Sequence, residues 1–86
     1  MYKILLSRSS AKFLDSIHIS DRSLFNRFIK AFDLLSQDPY QAKVLVGNLS
    51  GYYSYRIGDY RIIFEIERKK LLVYVEKIAN RSYIYK

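Results

Sequence analysis

Apolar positions along this chain keep a helical spacing through its first half and then switch to strict alternation. Tyr2 to Leu6 is a short, mostly apolar run that predicts a strand. Ser7, Ser9 and Ser10 follow it, and each is a residue type whose hydroxyl accepts from the free amides of a helix start. Ala11, Leu14 and Ile17 then recur at helical spacing with Phe13 widening the face, so a short first helix ends near His18-Ile19. Ser20-Asp21 is a second cap signal. Beyond it Leu24, Phe25, Phe28, Ile29, Phe32 and Leu35 mark one face of a longer helix, opposite Arg22, Asn26, Arg27, Lys30 and Asp33. Asp38-Pro39 stops that helix, because the residue before a proline is pushed out of the helical region. His18 is placed in the connection between the two helices, as a surface residue. Tyr40 to Ser50 has no clean period and reads as a connector.

From Tyr53 onward every second residue is apolar. Tyr53, Tyr55 and Ile57 alternate with Ser54 and Arg56, and Tyr60, Ile62, Phe64 and Ile66 alternate with Arg61, Ile63, Glu65 and Glu67. Arg68-Lys69-Lys70 is a charged turn into a last run from Leu71 through Val75 to Ile78. The predicted fold is α+β in the order β-α-α-β-β-β: a curled antiparallel sheet with an N-terminal helical hairpin packed on one face, residues 1–86 forming one domain. The final strand is expected to pair with the middle of the sheet.

Gly58-Asp59 between two alternating runs is a two-residue hairpin signal, glycine supplying the positive φ such a turn requires. That loop length fixes the register: Ile57 opposite Tyr60, Arg56 opposite Arg61, Tyr55 opposite Ile62 and Ser54 opposite Ile63. Tyr53, Tyr55, Ile57, Tyr60, Ile62 and Phe64 then share the face that the helices cover. Arg56 and Arg61 become direct neighbours on the other face. Like charges ~5 Å apart destabilise a sheet by a few tenths of a kcal/mol when solvated. A purely structural reading lets both extend into water, leaning on Glu65 and Glu76. A functional reading has the face receive an anion, since two guanidiniums converging on a phosphate match its oxygens better than lysines do.

Composition narrows the partners. The 86 residues carry 15 Lys and Arg against 8 Asp and Glu, a formal charge of +7, and a pI near 9.7. The excess is spread along the chain, seven basic against four acidic residues in 1–43 and eight against four in 44–86, so any basic patch is assembled by folding. Such a charge favours anionic partners, nucleic acid among them. Nine tyrosines suit cores, interfaces and base stacking alike. The absence of cysteine removes disulfides and thiolate metal sites and suits the cytoplasm. The N-terminal apolar stretch is too short for a signal peptide, and no run approaches the ~18 residues that span a membrane. No metal, cofactor or small-molecule ligand is expected.

The segment Leu49-Ser50-Gly51-Tyr52-Tyr53-Ser54-Tyr55-Arg56-Ile57-Gly58-Asp59-Tyr60-Arg61-Ile62-Ile63-Phe64-Glu65-Ile66 resembles the core signature of the RelE/ParE toxin superfamily, a Leu-x-Gly turn, an aromatic and basic strand, then Gly-Asp-Tyr-Arg and an apolar strand. Ile78-Ala79-Asn80-Arg81-Ser82-Tyr83-Ile84-Tyr85 is similar to that superfamily's closing element, a hydrophobic strand followed by His-Arg and a Tyr four residues beyond. Tyr2-Lys3-Ile4, Ser9 to Leu14, Asp38-Pro39, Leu45 and Gly47 fit its opening and middle, so the resemblance spans nearly the whole chain.

The resemblance implies a cytoplasmic toxin of a type II toxin–antitoxin system, held inactive by a cognate antitoxin. RelE-like members cleave mRNA on the ribosome; ParE-like members share the fold and poison DNA gyrase without cutting RNA; a third possibility is a fold-sharing binding partner without activity. Position by position, the resemblance makes Arg61, Arg81 and Tyr85 the catalytic residues and places Arg56, Lys77, Tyr83 and Ser54 at the RNA. Metal-independent RNA cleavage uses the ribose 2′-OH as internal nucleophile, so the protein's task is to align it and stabilise the crowded phosphorane. Two arginines suit that task, and removing one is expected to cost roughly 10²–10³ in rate. The chain departs from the pattern at Asn80, where many members carry His, and at Ser54, where some nucleases carry a basic residue.

Overall fold

The computed structural model describes residues 1–80. Its elements are β1 (Lys3–Leu6), α1 (Arg8–Ser20), α2 (Arg22–Gln37), β2 (Lys43–Val44), β3 (Tyr53–Ile57), β4 (Tyr60–Glu67) and β5 (Leu72–Asn80), with single 3₁₀ turns at Pro39–Gln41 and Gly47–Leu49. The two helices lie against one face of a five-stranded, open sheet of order β1-β5-β4-β3-β2. β5 pairs with the middle strand, β4, as expected. The sheet is mixed where an antiparallel one was expected: β1 runs parallel to β5, while the other three pairings are antiparallel. The reason is the helical hairpin, which carries the chain out and back before it re-enters the sheet. The connector also contributes an unforeseen strand, the two residues of β2 pairing with Tyr53 and Ser54.

The helix boundaries follow from side-chain caps. Ser7 Oγ accepts from the amide of Ser10 and donates to the carbonyl of Glu76 at 2.7 Å, so the residue that starts α1 also ties it to β5. Asp21 caps α2 by accepting from the amide of Leu24. It is the single residue between the helices, which puts His18 in the last turn of α1, not in a loop, exposed and with its ring edge-on to Phe25 at 4.6 Å. Asp38 and Pro39 end α2 as the sequence requires.

Between the layers, Leu14, Ile17, Phe28, Ala31, Phe32 and Leu35 of the helices meet Ile57, Ile62, Phe64, Val73 and Val75 of the sheet. Tyr53, Tyr55 and Tyr60 stand on the same face half-buried, with Tyr53 stacked on Phe64 at 5.7 Å and Tyr60 against Phe13 and Phe28. None of the described helices is long and apolar enough to cross a membrane.

Candidate functional site

Backbone pairing puts Arg56 directly opposite Arg61, Ile57 opposite Tyr60, Tyr55 opposite Ile62 and Ser54 opposite Ile63. This is the register that Gly58-Asp59 predicts, and Gly58 takes the positive φ, 56°, that the turn demands. Both arginines therefore lie on the sheet face away from the helices.

Their surroundings differ. Arg61 sits on a central strand, half-buried, with Arg56 across one side and Ala79 of β5 across the other. Its Nη1 donates to Ser54 Oγ at 3.3 Å. Ser54 is only 3% exposed, and with Ile63 and Ala79 it makes a nearly dry floor of small and apolar groups beside the guanidinium. A fixed acceptor on a low-dielectric floor orients a cation more firmly than water would. Arg56 is exposed, and its Nε donates to the carbonyl of Gly58 at 3.1 Å, which holds it along the turn.

Lys77 joins this face through an irregularity. Val73 and Val75 point to the helices, and unbroken alternation would send residue 77 there too. The β4–β5 register slips between Ile63 and Phe64, which pair with Lys77 and Val75, so Glu76 is an extra residue in β5. That bulge brings Lys77 and Ala79 onto the arginine side and Ile78 and Asn80 onto the helix side. The sequence carries the signal: apolar residues at 73 and 75 are followed by one at 78, a change of phase.

Asn80, where the resemblance leads to the expectation of His, pairs with Tyr60 on the helix side, beside an open cleft bordered in part by Phe13, Tyr60 and Ile78. It does not share a face with Arg61. Arg81, Tyr83 and Tyr85 lie outside the described residues.

Farther along the same face the charge reverses. Glu65 pairs with Tyr74, and Tyr52 is held protonated above the usual phenol range, first by the carboxylate of Glu65, then by burial, Glu76 and Tyr74. A polyanion on this face is thus drawn toward the hairpin end, where Arg56, Arg61 and Lys77 lie, and repelled from the end bearing Glu65 and Glu76.

Comparison with known proteins fits this architecture. The family model for the ParE toxin of the type II toxin–antitoxin system parDE matches residues 4–85. No curated protein matches the sequence significantly. Among solved structures, the RelBE2 toxin–antitoxin complex from Mycobacterium tuberculosis aligns with a TM-score of 0.79 at 23% identity, over 93% of this chain and 98% of that one. The YoeB/ParE toxin from Agrobacterium tumefaciens aligns with a TM-score of 0.81 at 16% identity, over 91% and 96%. The archaeal RelE–RelB complex from Pyrococcus horikoshii OT3 aligns with a TM-score of 0.77 at 25% identity, over 93% and 94%. All three share this chain's α+β fold, and the match over residues 4–85 shows that this chain belongs to the ParE toxin family of type II toxin–antitoxin systems.

Proposed function

We propose that the chain is a single-domain cytoplasmic toxin that cuts mRNA on the ribosome without a metal ion and is neutralised by a cognate antitoxin. The observation that carries the reading is the facing pair of Arg56 and Arg61, with Arg61 half-buried and anchored on Ser54. In this reading the 2′-oxygen of one ribose attacks the adjacent phosphorus, the bond from phosphorus to the 5′-oxygen breaks, and the products are a 2′,3′-cyclic phosphate and a 5′-hydroxyl. The 2′-OH proton leaves to a base, and the departing 5′-oxygen gains one. Arg61 and Arg56 hold the non-bridging oxygens as negative charge gathers on them, and Lys77 holds the strand. Arg81 and Tyr85 complete the set by family resemblance, Tyr85 as the group that handles a proton. A phenol's unperturbed pKa is near 10, so that role calls for an environment that favours the phenolate.

A second reading rests on the family match itself, which is to the ParE toxin: the chain binds DNA gyrase and traps it on DNA. Induced expression separates the two. Nuclease action gives truncated mRNAs with no DNA-damage response, and Arg61→Ala, which costs roughly 10²–10³ in rate, restores growth. Accumulating DNA breaks, with toxicity undiminished in Arg61→Ala, would establish the gyrase reading instead.

A further inference from the structure

The facing arginines occupy one side of the β3–β4 hairpin; the other side has a groove of its own. Where β3 runs past the end of β2, its edge and α2 enclose an open groove of about 260 Å³, bordered by Arg27, Lys30 and Leu34 of α2 and by Tyr55, Arg56 and Gly58. Among the described residues that line it, three side chains are cations and none is a carboxylate. Arg27 and Lys30 are three residues apart on α2 and so lie on one side of it, ~5–6 Å apart at Cβ. Both are exposed. The Arg27 guanidinium reaches the hairpin turn: a Cβ on Gly58 would stand 3.4 Å from its Nη2 and 3.5 Å from its Nη1. The carbonyl of the same Gly58 accepts from Arg56 Nε. One turn residue thus gathers two guanidiniums, one from the helix layer and one from the sheet, and a side chain at position 58 would crowd the first.

We propose that this groove is a second phosphate subsite, which takes a backbone phosphodiester of RNA flanking the one held by Arg56 and Arg61. Arg56 belongs to both sites and makes them continuous around the hairpin. Clustered cations with no carboxylate between them repel one another in the free protein, and a phosphodiester relieves that repulsion while matching guanidinium geometry. An acidic peptide is the competing occupant, but the continuity through Arg56 favours the RNA strand. The inference rests on the endoribonuclease reading and extends it.

The test uses the full chain carrying Arg27→Ala with Lys30→Gln, and Lys30→Gln alone as a milder variant that keeps the apolar stem. Binding of a short fluorescein-labelled 2′-O-methyl RNA is measured by anisotropy across a series of KCl concentrations, with ribosomes lacking mRNA as a second ligand. The expected result is weaker binding and a log–log salt slope flatter by about 0.7 for each phosphate that the variant no longer neutralises, with KM for cleavage raised and kcat unchanged. A change with the free RNA assigns the phosphate to the message strand; a change with the empty ribosomes alone assigns it to ribosomal RNA. An unchanged slope and affinity in both arms, while the wild type still cuts mRNA, overturns this inference and leaves the nuclease reading standing. A wild type that neither binds nor cuts RNA overturns both. Loss of binding to an acidic peptide with RNA binding intact overturns it in favour of a protein site.

Discussion

Ser54→Ala is the sharpest probe of how the arginine pair works. The serine is 3% exposed, which leaves its hydroxyl almost no surface to offer RNA, and its Oγ accepts from Arg61 Nη1. At 3.3 Å that bond lies beyond the usual 2.7–3.2 Å range, so its worth falls below that of a well-formed bond to a charged group, to about 1 kcal/mol. Alanine removes the hydroxyl together with its need for a partner, and the half-buried Arg61 can still reach water, so global stability should change by less than about 1 kcal/mol. What is lost is orientation. If the whole ~1 kcal/mol is spent holding Arg61 for the transition state, the rate falls about fivefold. The loss belongs in kcat, with KM unchanged, because the serine acts through the arginine. Single-turnover cleavage of ribosome-bound mRNA measures this, and the double variant Ser54→Ala/Arg61→Ala closes the cycle: the serine change should cost nothing once Arg61 is gone. An equal cost in both backgrounds, or a raised KM, would refute the positioning role.

Two predictions concern the frame around the site. Leu71 is the one non-glycine with positive φ among the described residues, 52°, in the turn that leads into β5, and it is nearly half exposed. Leu71→Asn keeps its backbone bonds, to the carbonyl of Arg68 and from the amide of Lys3. It should stabilise the fold by about 0.5–1 kcal/mol, since asparagine tolerates this region better; a thermal melt that falls would show that Leu71 packing outweighs the strain. Tyr52 titrates late because Glu65 faces it, so Glu65→Gln should bring a phenol back toward its ordinary range in an absorbance titration near 295 nm, with Tyr52→Phe assigning the signal. The sign follows from the raised folded pKa: the contribution to stability is complete below about 10, is lost as pH rises through the folded value, and shrinks in Glu65→Gln. A titration identical in wild type and Glu65→Gln would place the cause elsewhere.

How much of this is legible in the sequence depends on whether the information is local. Gly58-Asp59 carries its own geometry, so the facing of Arg56 and Arg61 can be written down residue by residue. The caps at Ser7 and Asp21 and the stop at Asp38-Pro39 are equally local. Pairing between distant segments is not: nothing in Tyr2 to Leu6 says that it lies parallel to β5, and nothing in Lys43-Val44 says that two residues suffice to pair with β3. The bulge at Glu76 falls between these cases. Its phase change is visible in the sequence, yet only the pairing partners show that the extra residue swings Lys77 toward Arg61. Arg27 reads in the sequence as one of several cations on the solvent side of α2, and its approach to Gly58 depends on how the helix lies on the hairpin.

In the proposed function the face bearing Arg56 and Arg61 breaks an RNA backbone. Purified protein, incubated with ribosomes stalled on a defined mRNA, tests it through the chemistry of the new ends. Cleavage within the ribosome-bound codon is expected, leaving a 2′,3′-cyclic phosphate and a 5′-hydroxyl, with loss of that cleavage in Arg61→Ala. Intact mRNA with the wild-type protein, or ends of the opposite kind, a 3′-hydroxyl and a 5′-phosphate, would contradict it.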